Sequence, residues 1–322
     1  MKLKNSLKSI VNIYKNMSHF GKILVFSSIV LIVVVFFRTI EQETYRRQMK
    51  EGFQQKGFGE NDKFVFKSGN DIYDEFYSTI YDHLVHNDTK DNFELMTVLK
   101  KTTANERSVI LDVGSGTGHH VGKLAQKNIK AIGIDISPSM VQQSVSLYPT
   151  QQFVLGDVLD SQQFSLNTFT HILCLYFTIY FLQDKRRFFD NCMDWLMPGG
   201  YLVVHLVDPL KFDPILPPGN PLYIVSPQKY AKERITHTKI HFNEFLYKSN
   251  FHYDPSNEIG KFEEKFHFEN GKTRKQEQVL YMEDTEKIIA IAQQCGFILH
   301  AKIDMVKCAY EYQYLYVFMK PG

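Results

Sequence analysis

The chain has 322 residues, 44% hydrophobic and 22% charged, with a formal net charge of +2, the balance of an ordinary globular protein of one large or two modest domains. Its four cysteines (Cys174, Cys192, Cys295 and Cys308) are scattered with no C-x-x-C pair, which excludes a disulfide framework and a zinc site built on thiolates. Six basic residues lie within 1–38, leaving 31 Lys and Arg against 35 Asp and Glu, a net of −4 for the remainder. That remainder lacks the basic footprint of a nucleic-acid enzyme.

Residues 1–38 contain no Asp or Glu, and 23–37 (ILVFSSIVLIVVVFF) is an uncharged run. As a helix the run covers about 22 Å of a hydrocarbon core about 30 Å thick. Extending the span to 20–40, with Lys22 and Arg38 reaching toward the headgroups, closes the gap. No small-x-small cleavage site follows, so 1–40 is expected to be a basic N-terminus and a single-pass transmembrane anchor. Basic residues flank both sides evenly, which leaves orientation open. A mitochondrial presequence is the other reading of so acid-free a start.

Residues 41–67 are polar, carry Gly52, Gly57 and Gly59, and read as a linker. From 71 to 84, Ile72, Tyr73, Phe76, Tyr77, Ile80, Tyr81 and Leu84 recur at three- and four-residue spacing, which predicts an amphipathic helix with an aromatic stripe. The pair Tyr-Asp occurs in it twice, at 73–74 and 81–82. A second helix is expected over 91–102.

The stretch around which the chain is organised is 109–119, VILDVGSGTGH. A short apolar run with β-branched Val109 and Ile110 suits a buried parallel strand. Gly114, Gly116 and Gly118 suit a tight turn that comes close to a ligand. The dinucleotide fingerprint G-x-G-x-x-G fails here, because its third glycine falls on His119. The pattern D-x-G-x-G-x-G resembles instead the first motif of the class I S-adenosylmethionine-dependent methyltransferases. The resemblance implies that the loop, with Ser115 and Thr117 between its glycines, wraps the methionine part of the cofactor, with Asp112 near its amino group. Asp135, ending a strand predicted over 130–136, corresponds to the family's ribose-binding carboxylate, with Ile136 beside it. Gly156-Asp157, followed by Val158 in a strand expected over 152–158, resembles the family's adenine-binding motif. By the same resemblance, Tyr73 or Tyr77 reaches the cofactor or substrate from the N-terminal helix.

Downstream, 169–175 reads as the fourth strand, and the resemblance implies that 176–180 (YFTIY) is a wall facing the methyl group; the Asn-Pro-Pro-Tyr signature of base and glutamine methylation is missing there. A helix over 184–196, a Pro198-Gly199-Gly200 turn and a strand over 201–207 follow. Six prolines between 208 and 227 make an irregular loop. Alternation over 235–245, 259–268 and 273–281, with Asn270-Gly271 as a hairpin signal, predicts an antiparallel β lid. A helix over 283–295 and strands over 297–306 and 312–319 close the chain.

The expected fold is α/β: a seven-stranded, mostly parallel Rossmann-like methyltransferase sheet with helices on both faces. The methyltransferase domain occupies 68–322, with the proline-rich loop and β lid inserted at 208–281. The implied function is methyl transfer from S-adenosylmethionine to a small or lipid-like acceptor at a membrane. Protein methylation and a membrane-tethered, non-catalytic cofactor-binding scaffold are the alternatives. Cofactor supply places the domain on the cytosolic side, or in mitochondria if the N-terminus is a presequence. No metal is called for. No residue pair identifies a base; Tyr176, His205 and Asp208 are the candidates for a catalytic role, Asp208 through acceptor contact, while His119, His120 and His171 are read as structural.

Overall fold

A computed structural model describes residues 17–55, 58, 62–219 and 227–322. The chain forms two compact units, Met1–Glu51 and Gly52–Gly322.

Most of the first unit's described residues lie in one helix, α1 (His19–Gln55), which continues past Glu51. Its stretch His19–Ile40 is long and apolar enough to cross a membrane, with none of its apolar window buried. The expected linker is corrected on two counts. Residues 41–55 continue α1, as a run rich in Glu, Gln, Arg, Lys and Met favours. Residues Phe64–Ser68 form a strand, β1, whose Phe-Val-Phe start has strand propensity.

The second unit then runs through α2 (Glu75–Val85), α3 (Asp88–Lys101), β2 (Val109–Val113), α4 (His119–Ala125) and β3 (Lys130–Asp135). Next come α5 (Pro138–Leu147), β4 (Gln152–Leu155), β5 (Phe169–Cys174), α6 (Thr178–Phe181), α7 (Lys185–Trp195) and β6 (Leu196–Val207). The chain ends through β7 (His237–His241), β8 (Phe245–Asp254), β9 (Ile259–Phe268), β10 (Thr273–Tyr281), α8 (Thr285–Gln294), β11 (Ile298–Asp304) and β12 (Gln313–Met319).

Seven strands form the main sheet in the order β11-β12-β6-β5-β2-β3-β4. Pairing is parallel from β6 through β4, while β12 runs antiparallel to both β6 and β11. The order reverses direction at β2, and such a switch point opens a crevice at the carboxyl ends of the strands. One core cluster includes Trp195, Phe188, Phe189, Leu202 and Phe318; another joins Ile110, Val203 and Leu315 of the sheet to Leu95, Val98, Val121 and Leu124 of α3 and α4. Fully burying each such side chain stabilises the fold by about 1.5–3 kcal/mol.

The second sheet has five strands in the order β1-β10-β9-β8-β7, with β1 parallel to β10 and the other pairs antiparallel. The expected insert is therefore a real sheet, larger than its sequence signals. The strand anticipated over 235–245 is two elements, β7 and the start of β8, turned through Phe242-Asn243-Glu244. Asn270-Gly271 makes the predicted hairpin, with Gly271 at φ +81°. The helix expected from 71 starts at Glu75, because Asp74 accepts a hydrogen bond from the Tyr77 N–H at 3.1 Å and caps it.

Candidate active site

The loop after β2 is left-handed at each glycine: φ is +63° at Gly114, +54° at Gly116 and +86° at Gly118. A Cβ on Gly114 would stand 2.6 Å from Thr178, and one on Gly118 2.6 Å from the Phe153 ring. Gly116 has room, so its requirement is conformational. Asp135 holds the loop: its Oδ2 accepts from the Gly116 N–H and its Oδ1 from the Ser137 N–H, both at 2.9 Å.

An open cavity lies against this loop. Asp112, Gly114, Ser115, Gly116 and Thr117 form one wall; Tyr81, Asp82, Lys90, Asp91 and His120 are among the others. Asp112 is 2% exposed and its Oδ2 has no hydrogen-bond partner; the His120 ring, at Nδ1, is 3.9 Å away. Burial pushes the Asp112 carboxyl up to about 6. A buried, unpartnered carboxylate oxygen beside an open glycine cradle fits the ammonium of an amino acid. Lys90 supplies the complement for a carboxylate. Burial disfavours its ammonium, but the Glu94 and Asp91 carboxylates, each 3.0 Å from Nζ, outweigh that and hold it protonated. Sequence reasoning missed Lys90, which reads as an ordinary solvated helix lysine; only its buried acidic neighbours reveal it.

Asp91, Glu94 and His120 bring ligand-type atoms within 4.8 Å of one another. The Lys90 ammonium binds two of the three, so the cluster already contains its cation.

The Asp112 pKa makes a prediction. Above about pH 6 the carboxylate can accept an ammonium; below it the proton removes that charge. Affinity for S-adenosylhomocysteine is therefore expected to fall as pH drops from 7 to 5, about tenfold per unit once below the pKa. Calorimetry across that range checks it, and Asp112→Asn should flatten the profile.

A second cavity adjoins the first; Tyr81, Val85 and Tyr176 line both. Tyr176 follows β5 with φ +52°, a strained backbone for a bulky residue at a strand's carboxyl end. Its hydroxyl, pushed up to about 12 by burial, stays a phenol at neutral pH.

Tyr73 and Tyr77 line this second cavity and not the glycine-loop cavity. The Tyr77 hydroxyl donates to Glu264 of β9 at 2.9 Å. Tyr81 is the stripe tyrosine that reaches both cavities. His205 on β6 is fully buried beneath Tyr176 and Phe177, with the Tyr176 backbone and the Gln313 side chain at its ring; burial takes it down to about 4 and keeps it neutral. It lines neither cavity. Asp208 also lies outside both, accepting from the Leu210 N–H and pairing with Lys211 at 3.2 Å. Gly118, Asp135, Ile136, Gly156, Asp157 and Val158 stand at the tips of β2, β3 and β4 without lining either cavity. Asp157 caps its own turn at the Leu159 N–H, and the Gly156 N–H donates to the Asp135 carbonyl.

The Tyr-Asp repeat ties α2 down at both ends. Asp74 pairs with Arg274 of β10 at 2.8 and 3.0 Å. Asp82 accepts from Thr117 Oγ1 at 2.6 Å and pairs with His119 Nε2 at 2.8 Å. Under α2, Glu264 accepts from Tyr77, Tyr247 at 2.7 Å and Gln276 at 2.6 Å. His171 bonds Thr102 and stacks on Tyr201, a structural role as expected.

Residues 111–204 match a family described as a methyltransferase domain. A dTDP-4-amino-2,3,4,6-tetradeoxy-D-glucose N,N-dimethyltransferase of Saccharopolyspora spinosa is 32% identical over 110 residues, which span 33% of this chain and 43% of that protein. A sugar N-methyltransferase from Streptoalloteichus sp. superposes with a TM-score of 0.55 at 18% identity, over 73% of this chain and 88% of the other. A methyltransferase from Streptomyces caelestis gives 0.58 at 15% identity, over 76% and 96%. An amino pentose methyltransferase from Micromonospora echinaspora, solved with S-adenosylmethionine bound, gives 0.51 at 21% identity, over 71% and 91%. Residues 111–204 thus carry the match to a methyltransferase domain, and the sheet order, the reversed β12 and the solved structures together give the chain a Rossmann-like methyltransferase fold.

Proposed function

We propose that the chain methylates a small molecule held in the aromatic cavity, and that α1 anchors it to a membrane. The observation that carries the first part is the junction of the two cavities at Tyr81, Val85 and Tyr176, glycine loop on one side and aromatic wall on the other. Asp112 and Lys90 would hold the two ends of the cofactor's amino acid, and Asp135 its ribose once the loop adjusts. When bound, S-adenosylmethionine supplies an activated methyl group on a sulfonium. The chain aligns the acceptor and excludes water, which accounts for most of such catalysis; Tyr176 stands where the alignment is made. The relatives named for sugar amines support a small acceptor over a protein. The second part rests on the length and apolar composition of His19–Ile40.

The full chain, purified in detergent, is expected to bind S-adenosylhomocysteine and to release it from S-adenosylmethionine when given a suitable acceptor. Cofactor binding with no turnover on any small amine, alcohol or phenol would favour the scaffold reading. No binding by the folded chain would overturn both.

A further inference from the structure

We propose that the outer face of the second sheet docks on an anionic lipid surface, through a row of lysines that crosses four strands and two exposed phenylalanines at its end. The choice of a lipid partner rests on the proposed anchoring by α1; the row itself does not.

One face of this sheet is turned inward, with Tyr247, Phe251, Glu264, Phe266, Arg274 and Gln276 buried on it. The alternate positions are buried in none of the five strands, so among the described residues nothing covers the other face. On that face the register sets four lysines directly opposite one another. Lys239 of β7 faces Lys248 of β8, Lys248 faces Lys265 of β9, and Lys265 faces Lys275 of β10. Phe66 of β1 stands next in the row, beside Lys275. At about 4.8 Å per strand the four lysines span about 14 Å. Like charges directly opposite destabilise a sheet. Lys275 has Glu263 at 2.8 Å for relief, while Lys239, Lys248 and Lys265 have no ion pair among the described residues.

A lysine on an edge strand has an ordinary use, because it blocks pairing with a further strand. That accounts for Lys239 and leaves Lys248, Lys265 and Lys275, whose strands lie inside the sheet. An anionic partner laid across the row offsets its repulsion. The field already reaches the neighbouring row, where His267 is pushed down by burial and by the Lys265 and Lys248 charges. With Lys261 the face carries five lysines against Glu263, Glu277 and Asp254, a net of +2 in a chain whose residues after 38 sum to −4. Phe64 and Phe66 project from the same face at 57% and 52% exposure. Anionic headgroups attract the lysines, and the layer beneath them admits the rings. Each lysine brought to such a surface contributes about fivefold to binding. A nucleic acid suits this chain less well, since the remainder is acidic and His19–Ile40 would hold it at a bilayer.

The test adds the full chain to preformed vesicles of phosphatidylcholine, with or without phosphatidylserine, and follows lysine acetylation by mass spectrometry. With phosphatidylserine, acetylation of Lys239, Lys248 and Lys265 is expected to slow by about fivefold or more and to recover in high salt. Lys127 and Lys307, exposed elsewhere on the unit, should be unaffected. Lys239→Gln/Lys248→Gln should abolish the protection of Lys265, because two lysines together are worth about twenty-five-fold; Lys239→Arg/Lys248→Arg should keep it. Both pairs of substitutions are on exposed side chains, and a thermal melt checks that the variants fold. Equal acetylation in the two kinds of vesicle overturns the proposal, as does protection that survives in the Gln variant. Protection by polyuridylate and not by phosphatidylserine overturns it too, in favour of a nucleic acid. Flotation with pure phosphatidylcholine vesicles reads α1 separately. A chain that fails to float there overturns the anchoring, and its footprint on phosphatidylserine vesicles still decides the face.

Discussion

Asp135→Ala is expected to weaken S-adenosylhomocysteine binding at least tens-fold, on the order of 2 kcal/mol. The family resemblance gives one reason, the loss of a charged acceptor for the ribose hydroxyls. The structure adds another. Both carboxylate oxygens already hold backbone, at Gly116 and Ser137, so the variant also releases a loop kept left-handed at Gly114 and Gly116. Calorimetry measures the loss, and a thermal melt separates it from unfolding. Asp135→Asn keeps an acceptor for one N–H and should fall between wild type and alanine. Unchanged affinity in the alanine variant would mean that the loop stands without its carboxylate and that the ribose is held elsewhere.

The largest effect on stability is expected from Arg274→Ala. The guanidinium is fully buried, bonds Asp74 twice, donates to the Ile72 carbonyl and to Gln276 Oε1, and lies 4.7 Å from the centre of the Phe76 ring. Removing one partner of a buried pair destabilises by about 3–5 kcal/mol. The Asp74 side chain is 24% exposed and also has Lys67 at 3.6 Å, so the lower end, about 3 kcal/mol, applies. For a unit of this size that is a fall in Tm of roughly 6–12 °C. Denaturant unfolding checks the figure. Because α2 also contacts the glycine loop through Asp82, weaker cofactor binding should accompany the loss.

The sequence made the nucleotide-binding half of the fold legible for a physical reason. A buried parallel strand, a loop that demands positive φ and a carboxylate at the next strand tip are all local features, and Val109–Val113, Gly114 to Gly118 and Asp135 display them within 27 residues. The lid was harder. The side chains of β8 alternate plainly, with Phe245, Tyr247, Ser249 and Phe251 buried, but the turn before it is Phe-Asn-Glu, with neither Gly nor Pro to mark it. Strand β1 was hidden because its partner, β10, lies some 200 residues away and pairs with it in parallel. The same distance hid the site's polar wiring. Tyr77 meets Glu264, and Asp74 meets Arg274, across separations of 187 and 200 residues; each reads alone as a surface group or a core aromatic.

The repeated Tyr-Asp on α2 sets a rule for the length of that helix. Asp74 at its start and Asp82 eight positions on hold different parts of the molecule, the second sheet and the glycine loop. Eight residues of helix rise about 12 Å and complete a little over two turns, and one added residue turns everything beyond it by about 100°. An inserted or deleted residue between 75 and 81 would therefore leave at most one of the two anchors engaged, whatever its side chain. Point substitutions on the outer face of α2 should be tolerated freely, while changes in its length should not. The helix acts as a spacer of fixed length between the two halves of the catalytic unit.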